Sequence, residues 1–255
     1  MEGSQVRRVL PSITVCMVLA LALFASIDLS FEILPTAEAP TIYVDDDYGF
    51  EDADHKITIQ AAVDNSSVGG TVFVYNGTYY EDVYINKTIN LTGISRDNTT
   101  INCSSIGIFV ENADYVNISG FTVINGSSAG IRIRDSNNSI VENNRIENNT
   151  YGTKIIRTNN TIVRNNIALT NSNYYAIYFD DTTNSTIDNN TCFDSGAGIM
   201  IKDKSSYNII INNNCSNNDK GILLSGSQNN YIADNILYSC PTYGIWDSSN
   251  GGNIY

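Results

Sequence analysis

Imidazole and thioether groups are almost missing from this chain: 255 residues hold one histidine, His55, and three methionines, Met1, Met17 and Met200. Copper takes imidazole, thiolate or thioether ligands, so the composition argues against a copper site. Basic residues are also few. Fourteen Lys and Arg stand against 27 Asp and Glu, for a formal net charge of −13, and the basic residues are scattered along the chain. A phosphate backbone is bound by clustered Lys and Arg, which excludes nucleic acid as a partner. Lys, Glu and Leu are scarce beyond the N-terminus, where Asn, Ser, Thr, Gly and Tyr abound. That is the composition of a turn-rich β protein.

One long apolar run stands out, Ile13 to Ile27, preceded by Arg7 and Arg8. Its length suits the core of a signal peptide and is short for a bilayer span. Residues 1–39 are therefore expected to be a signal peptide or N-terminal anchor with a short linker, and the protein to be secreted or held at the cell surface. A cut near Ala25 and one after Ala37-Glu38-Ala39 both fit, the latter being followed by Pro40; an uncleaved anchor is the alternative. Cys16 lies inside the run without a lipoprotein pattern and is given no role. Fourteen Asn residues begin an Asn-x-Ser/Thr sequon, among them Asn76, Asn86, Asn90, Asn117, Asn137, Asn184 and Asn214, where composition alone gives about six. Two readings of the excess stand side by side: N-glycans on a surface protein, or Ser and Thr that simply follow Asn in turns.

From Gly107 onward one pattern recurs about every 23 residues: a small residue, an apolar or Thr residue, an outward residue and another apolar one. The starts are Gly107, Gly130, Gly152, Ala176, Gly198, Gly221 and Gly244. Half a repeat later a second marker keeps step, seen at Asn143-Asn144 and Asn165-Asn166, and again around Asn189-Asn190, Asn213-Asn214 and Asp234-Asn235. A repeat this short cannot bury its own apolar residues, so it must stack on its neighbours as a solenoid coil. Strands of successive coils then pair in parallel ~4.8 Å apart. The fold class expected is all-β, a right-handed single-stranded parallel β-helix of about eight coils with three parallel sheets.

Alternation along a strand turns the first and third residues after each start inward. The pairs are Ile108/Val110, Ile131/Ile133, Thr153/Ile155, Ile177/Phe179, Ile199/Ile201, Ile222/Leu224 and Ile245/Asp247. Ile131, Ile155, Ile177, Ile199, Leu224 and Ile245 are expected in the core. The Asn pairs suit turns, where Asn tolerates left-handed angles, and stacked Asn side chains can bond along the solenoid as a ladder.

Ahead of the repeats, residues 40–70 read as an N-terminal cap: a strand at Thr41 to Val44, the acidic Asp45-Asp46-Asp47, and a helix-compatible stretch from Ile57 to Val63 that can close the first coil. Residues 71–255 then form the solenoid. Ile59-Gln60-Ala61-Ala62, Gly70-Thr71-Val72, Asn76-Gly77-Thr78-Tyr79 and Ile89-Asn90-Leu91-Thr92-Gly93 together resemble the entry segment of pectin-lyase-like β-helix proteins. The later Gly-Ile and Asn-Asn repeats resemble the NosD-type periplasmic copper-binding β-helix family and related carbohydrate-binding and sugar-hydrolysis repeats. The resemblance covers about residues 41–255 and implies the fold; this architecture hosts lyases, hydrolases, epimerases, adhesins and silent surface proteins, so it does not imply one activity. The chain ends at Asn253-Ile254-Tyr255 inside a coil, so the expectation is a truncated chain or a further protein that covers the last coil.

Glycoside hydrolysis uses two carboxylates, and the local candidate is Asp180-Asp181, with Arg134 and Lys202 in the columns beside Asp180. Polysaccharide lyases pair acidic Ca²⁺ ligands with a base that Arg132, Arg134, Lys154 or Lys202 could supply. Asp45, Asp46 and Asp47 are the candidate Ca²⁺ ligands, and no other cofactor is expected. Cys192 and Cys215 occupy one rung when counted back from the next Gly, whereas counting from the Asn pairs sets Cys192 beside Ser216. Buried free thiols and a Cys192–Cys215 bridge both stay open. The outward second position of each repeat forms a column, Phe109, Arg132, Lys154, Tyr178, Met200, Leu223 and Trp246, rich in side chains that stack on sugars or bury against a partner. The leading reading is a non-catalytic extracellular β-helix module that binds a polysaccharide or cell-surface glycan or builds the surface. A lyase or glycoside hydrolase on the same lateral face is the alternative, and a NosD-like copper scaffold the second.

Overall fold

The computed structural model describes residues 39–255 apart from 48, 172, 173 and 250. The expected signal segment, with Arg7, Arg8, Cys16 and the cleavage candidates near Ala25 and Ala37, lies outside the described residues. Three parallel sheets of ten, six and eight strands build the solenoid; successive coils contribute one strand to each as far as Phe193, after which the six-stranded sheet continues only as single bridges through Asn214 to Ile236. In the eight-stranded sheet the predicted starts align rung on rung: Ile108 pairs with Ile131, Ile131 with Thr153, Thr153 with Ile177, Ile177 with Ile199 and Ile199 with Ile222. All six side chains are fully buried, as are Val110, Ile133, Ile155, Phe179, Ile201 and Leu224. Each such aliphatic contributes ~1.5–3 kcal/mol by leaving water.

Ile245 departs from this column. It is 39% exposed, because Tyr243–Asp247 is the end strand of the sheet and pairs on one side alone, with Lys220–Ser225. Its column partner Asp247 is exposed for the same reason. Thr153 does face inward, and its hydroxyl is buried without a hydrogen-bond partner.

Each Asn pair divides its labour. The first member takes the left-handed turn, with φ of 56° at Asn143, 56° at Asn165, 52° at Asn189, 55° at Asn212 and 54° at Asp234. The second builds the ladder: Nδ2 of Asn144, Asn166, Asn190 and Asn213 each donates to Oδ1 of the corresponding Asn one coil on, at 3.3, 3.1, 3.0 and 2.9 Å. Each Nδ2 also donates to a carbonyl one coil back, as Asn190 does to Val163 O at 2.9 Å. In the fourth of these pairs the working residues are Asn212-Asn213, one residue earlier than the sequence spacing suggests.

At the N-terminal end, Thr41–Val44 pairs in register with Thr71–Val74 and extends the ten-stranded sheet. A short helix, Ile59–Asn65, is capped by Thr58, whose hydroxyl accepts from Ala61 N at 3.2 Å. This cap starts the helix two residues after Ile57, which is left exposed, while Ile59, Ala62 and Val63 are buried. The Glu81 carboxylate accepts the free Ile59 and Gln60 amides, each at 2.8 Å.

Candidate functional site

The predicted outward column exists as one strip of the eight-stranded sheet. Tyr84, Phe109, Arg132, Lys154, Tyr178, Met200, Leu223 and Trp246 follow one another in register. It is not an open platform, however. Tyr178, Met200 and Leu223 are each 6% exposed and pack with Ala197, Tyr151 and Tyr175 into a small core on the outside of the solenoid. The covering side chains come from the residue before each start: Tyr151 packs its ring 5.9 Å from that of Tyr175, and Tyr175, Ala197, Lys220 and Tyr243 follow in register as a second outward column. They face out because the start residue and the one after it both face in. A Cβ on Gly130 would lie 2.5 Å from Ile146 Cγ2 inside the solenoid, and Ile131 beside it is fully buried.

Large and small residues alternate unevenly in the second column, and this carves a cleft. Between Tyr175 on one side and Tyr243 with Trp246 on the other lies Ala197, leaving a cavity of about 510 Å³ floored by Met200 and Leu223. Gly196, Ser225, Asp219 and Lys220 form its rim. The two rim charges neutralise each other in an ion pair, and Thr242 Oγ1 also donates to Asp219. Lys220 first, then Thr242, hold the Asp219 carboxyl below the usual range. Tyr243 and Trp246 stand with ring centroids 6.2 Å apart, so the cleft has aromatic walls, an apolar floor and a charge-balanced edge.

Toward the N-terminal end the strip changes character. Tyr151, Tyr174, Tyr175 and Tyr178 form a cluster with ring centroids 5.0 to 6.4 Å apart. Lys154 Nζ sits over it, 4.1 Å from the centre of the Tyr151 ring and 5.2 Å from that of Tyr178. The guanidinium groups of Arg132 and Arg134 lie 5.8 and 5.2 Å from the centre of the Phe109 ring. Burial, and then the charge of Arg132, lowers the affinity of Lys154 for its proton; burial, then the charge of Arg134, does the same to Arg132.

The catalytic candidates are placed but not gathered. Asp180 lies between Ile156 and Lys202 on neighbouring strands and accepts from Tyr178 Oη at 3.0 Å. Burial, followed by the Asp180 charge, raises the Tyr178 phenol. Asp181 occupies the following turn at φ 50°, its amide bound to Asp203 O at 2.9 Å. Lys202 pairs with Asp203 at 3.1 Å, and Arg134, two rungs from Asp180, is taken by Glu111, its Nε at 2.7 Å. In the acidic loop Asp45 Oδ1 accepts from Asp47 N at 3.1 Å and the Asp46 carboxylate lies against Gly77. Among the described residues no three His, Cys, Asp or Glu side chains converge to hold a metal.

Cys192 and Cys215 share a rung, as the adjoining Thr191–Asn214 bridge fixes, which resolves the one-residue ambiguity of the spacing. Both are buried free thiols, not a disulfide; a hydrogen bond with Cys192, then burial, pushes the Cys215 thiol well up. Of the sequon residues, Asn76, Asn86 and Asn184 are exposed, whereas Asn90, Asn117, Asn137 and Asn214 are half-buried. Asn137 Oδ1 is already engaged by Asn159 N at 2.9 Å, and Asn214 Oδ1 by Ser216 Oγ at 2.7 Å.

Solved structures with the same architecture act on polysaccharides. The A-module of the Azotobacter vinelandii mannuronan C-5 epimerase AlgE4 aligns at TM-score 0.59 and 17% identity, over 80% of this chain and 72% of that one. A pectin methylesterase in complex with a hexasaccharide aligns at TM-score 0.54 and 8% identity, over 82% and 89%. An alginate lyase from Paenibacillus sp. str. FPU-7 aligns at TM-score 0.53 and 13% identity, over 84% and 95%. At these identities the likeness is one of fold. No curated protein matches in sequence. The family described as right-handed beta helix region matches residues 55–174 and 107–255, and with those two overlapping stretches taking in the whole solenoid, the chain belongs to that family.

Proposed function

We propose that the outward face of the eight-stranded sheet binds a polysaccharide laid along the solenoid axis, and that the protein serves as a non-catalytic extracellular or cell-surface module. The cleft between Tyr175 and Trp246 carries this reading. Sugar rings present apolar faces edged by hydroxyls, and aromatic walls with a polar rim complement both. Rungs repeating at ~4.8 Å give a long ligand many weak contacts in sequence. The pectin methylesterase bound to a hexasaccharide supports a glycan partner for this architecture. Arg7, Arg8 and the apolar run after them support export, which N-terminal sequencing tests: mature protein should lack Met1 to at least Ala25.

Trp246 is the one tryptophan of the chain, so its emission reports on the cleft directly. Titration with oligosaccharides should quench or shift that emission, and Tyr175→Ala and Trp246→Ala should each weaken retention on a polysaccharide affinity gel at least about tenfold. Equal retention of wild type and both variants would overturn the reading. Release of reducing ends or unsaturated sugars by wild type, lost in Asp180→Asn, would replace it with an enzyme.

A further inference from the structure

Six of the twelve Lys and Arg side chains among the described residues pair with an acidic neighbour. Arg134 pairs with Glu111, Arg145 with Glu147, Arg157 with Asp135, Arg164 with Glu142, Lys202 with Asp203 and Lys220 with Asp219. Of the other six, Lys56, Lys87 and Arg96 donate to backbone carbonyls and Lys204 is exposed, which leaves Arg132 and Lys154. They are cross-strand neighbours in register on the outward face, both half-buried, and among the described residues neither forms an ion pair. Arg132 spends Nη2 on Ser128 Oγ at 2.6 Å, while its Nε is buried with no acceptor. Lys154 has aromatic faces for company, Tyr151 and Tyr178.

Two like charges one rung apart, ~4.8 Å, repel, and partial burial strengthens that repulsion by thinning the water between them. Rings help a cation, but a ring quadrupole is weaker than a carboxylate and cannot accept a hydrogen bond from Nε in its plane. The Asp180 carboxylate favours the Lys154 charge without forming an ion pair with it, and among the described residues no carboxylate pairs with Arg132; in a chain with a net charge of −13, such a cation pair beside an aromatic cleft lacks one component, an anion from outside.

We infer that Arg132 and Lys154 form an acid-group subsite that holds the carboxylate or sulfate of an acidic polysaccharide, while the less charged part of the same chain lies in the cleft. This inference rests on the polysaccharide reading above and gives it a direction along the rod. Lys154 and Trp246 are four rungs apart in register, ~19 Å at the parallel-strand spacing. A monosaccharide can therefore occupy one end alone. A longer chain joins both ends and gains the advantage of linked sites.

The test uses the full chain and Trp246 emission, with three probes of matched length: polygalacturonate oligomers, the same oligomers fully methyl-esterified, and a sulfated galactan, each at low and high salt. At least one of the two acidic probes should bind wild type at least about tenfold more tightly than the neutral ester, with the preference fading as salt screens it; the acidic arm that wins identifies the oxyanion. In Arg132→Gln/Lys154→Met the acidic-to-neutral ratio should collapse toward one, and Arg132→Lys, which keeps the charge, should retain part of it. Circular dichroism and unliganded emission identical to wild type establish that the variants are folded. Equal affinity of wild type for all three probes, or an acid preference that survives in the double variant, overturns the inference while leaving the cleft intact. Absence of binding to every probe overturns the polysaccharide reading itself.

Discussion

The two faces of the eight-stranded sheet obey different rules. On the inner face Ile108, Ile131, Thr153, Ile177, Ile199 and Ile222 stack as near copies of one another, all fully buried. On the outer face the same strands carry Phe109, Arg132, Lys154, Tyr178, Met200, Leu223 and Trp246, with hardly two alike in sequence. The inside of a solenoid must match the coils above and below at native packing density, so each coil repeats its neighbour. The outside meets water or a ligand and is free to vary from rung to rung. The repeat therefore belongs to the fold, and the departures from it, Ala197 between larger neighbours or two unpaired cations side by side, belong to the site.

The comparison breaks most readily at its inner edge. Phe179→Ala should cost about 3–5 kcal/mol in urea unfolding, because the cavity it leaves is enclosed. Met200→Ala, one rung on and on the outer face, should cost only about 1 kcal/mol, since its neighbours can close in from solvent. Equal losses would mean that the outer cluster is as much a core as the inner one.

Next in size is the ladder. Asn190→Ala removes the acceptor of Asn166 N and Nδ2 and the donor to Val163 O, orphaning buried groups that cost about 1–3 kcal/mol each. A midpoint shift in urea equivalent to about 2–4 kcal/mol is expected, and a shift no larger than that of an exposed Asn outside the left-handed turns, such as Asn86→Ala, would show that the ladder is ornamental.

The smallest effect belongs to the end coil. Burial raises the Asp247 carboxyl, but hydrogen bonds from Tyr255, Asn253 and Ser249 outweigh it and bring the value from 3.8 down to about 2. Because the folded value is the lower one, this contribution is complete above 3.8 and fades as pH falls toward about 2. The group is largely in solvent, so the result should be local: a shift of Trp246 emission across that acid window, abolished in Asp247→Asn, while far-ultraviolet dichroism stays unchanged. Emission that follows global unfolding instead would tie the last coil to the rest.

Much of this was legible in the residues. The Gly or Ala starts gave the rung register without error from Gly107 to Gly244, because a small residue is needed wherever the chain passes close to the opposite sheet, as at Gly130 under Ile146. The outward strip was legible for the same reason. Its burial was not: strict alternation hides Tyr151, Tyr175 and Tyr243, since it counts them with the inward residues two positions on. Ile245 was misplaced because periodicity carries no notion of an end strand. The slip from Asn212-Asn213 to Asn213-Asn214 arose because three consecutive Asn residues fit the marker equally well, and only φ of 55° at Asn212 tells the turn from the ladder.

The ladder also has a polarity in time. Asn144 N donates to Asn166 Oδ1, Asn166 N to Asn190 Oδ1 and Asn190 N to Asn213 Oδ1, so a buried amide in each coil is satisfied by the coil synthesised after it. At roughly 5–20 residues per second a ribosome delivers a coil of about 23 residues every one to five seconds. Throughout that interval the newest coil is an open edge, with donors satisfied by water and a row of unpaired backbone groups offered to any other strand. A growing chain thus exposes one such edge at a time, always at its youngest end, and carries its hazard of mispairing forward coil by coil.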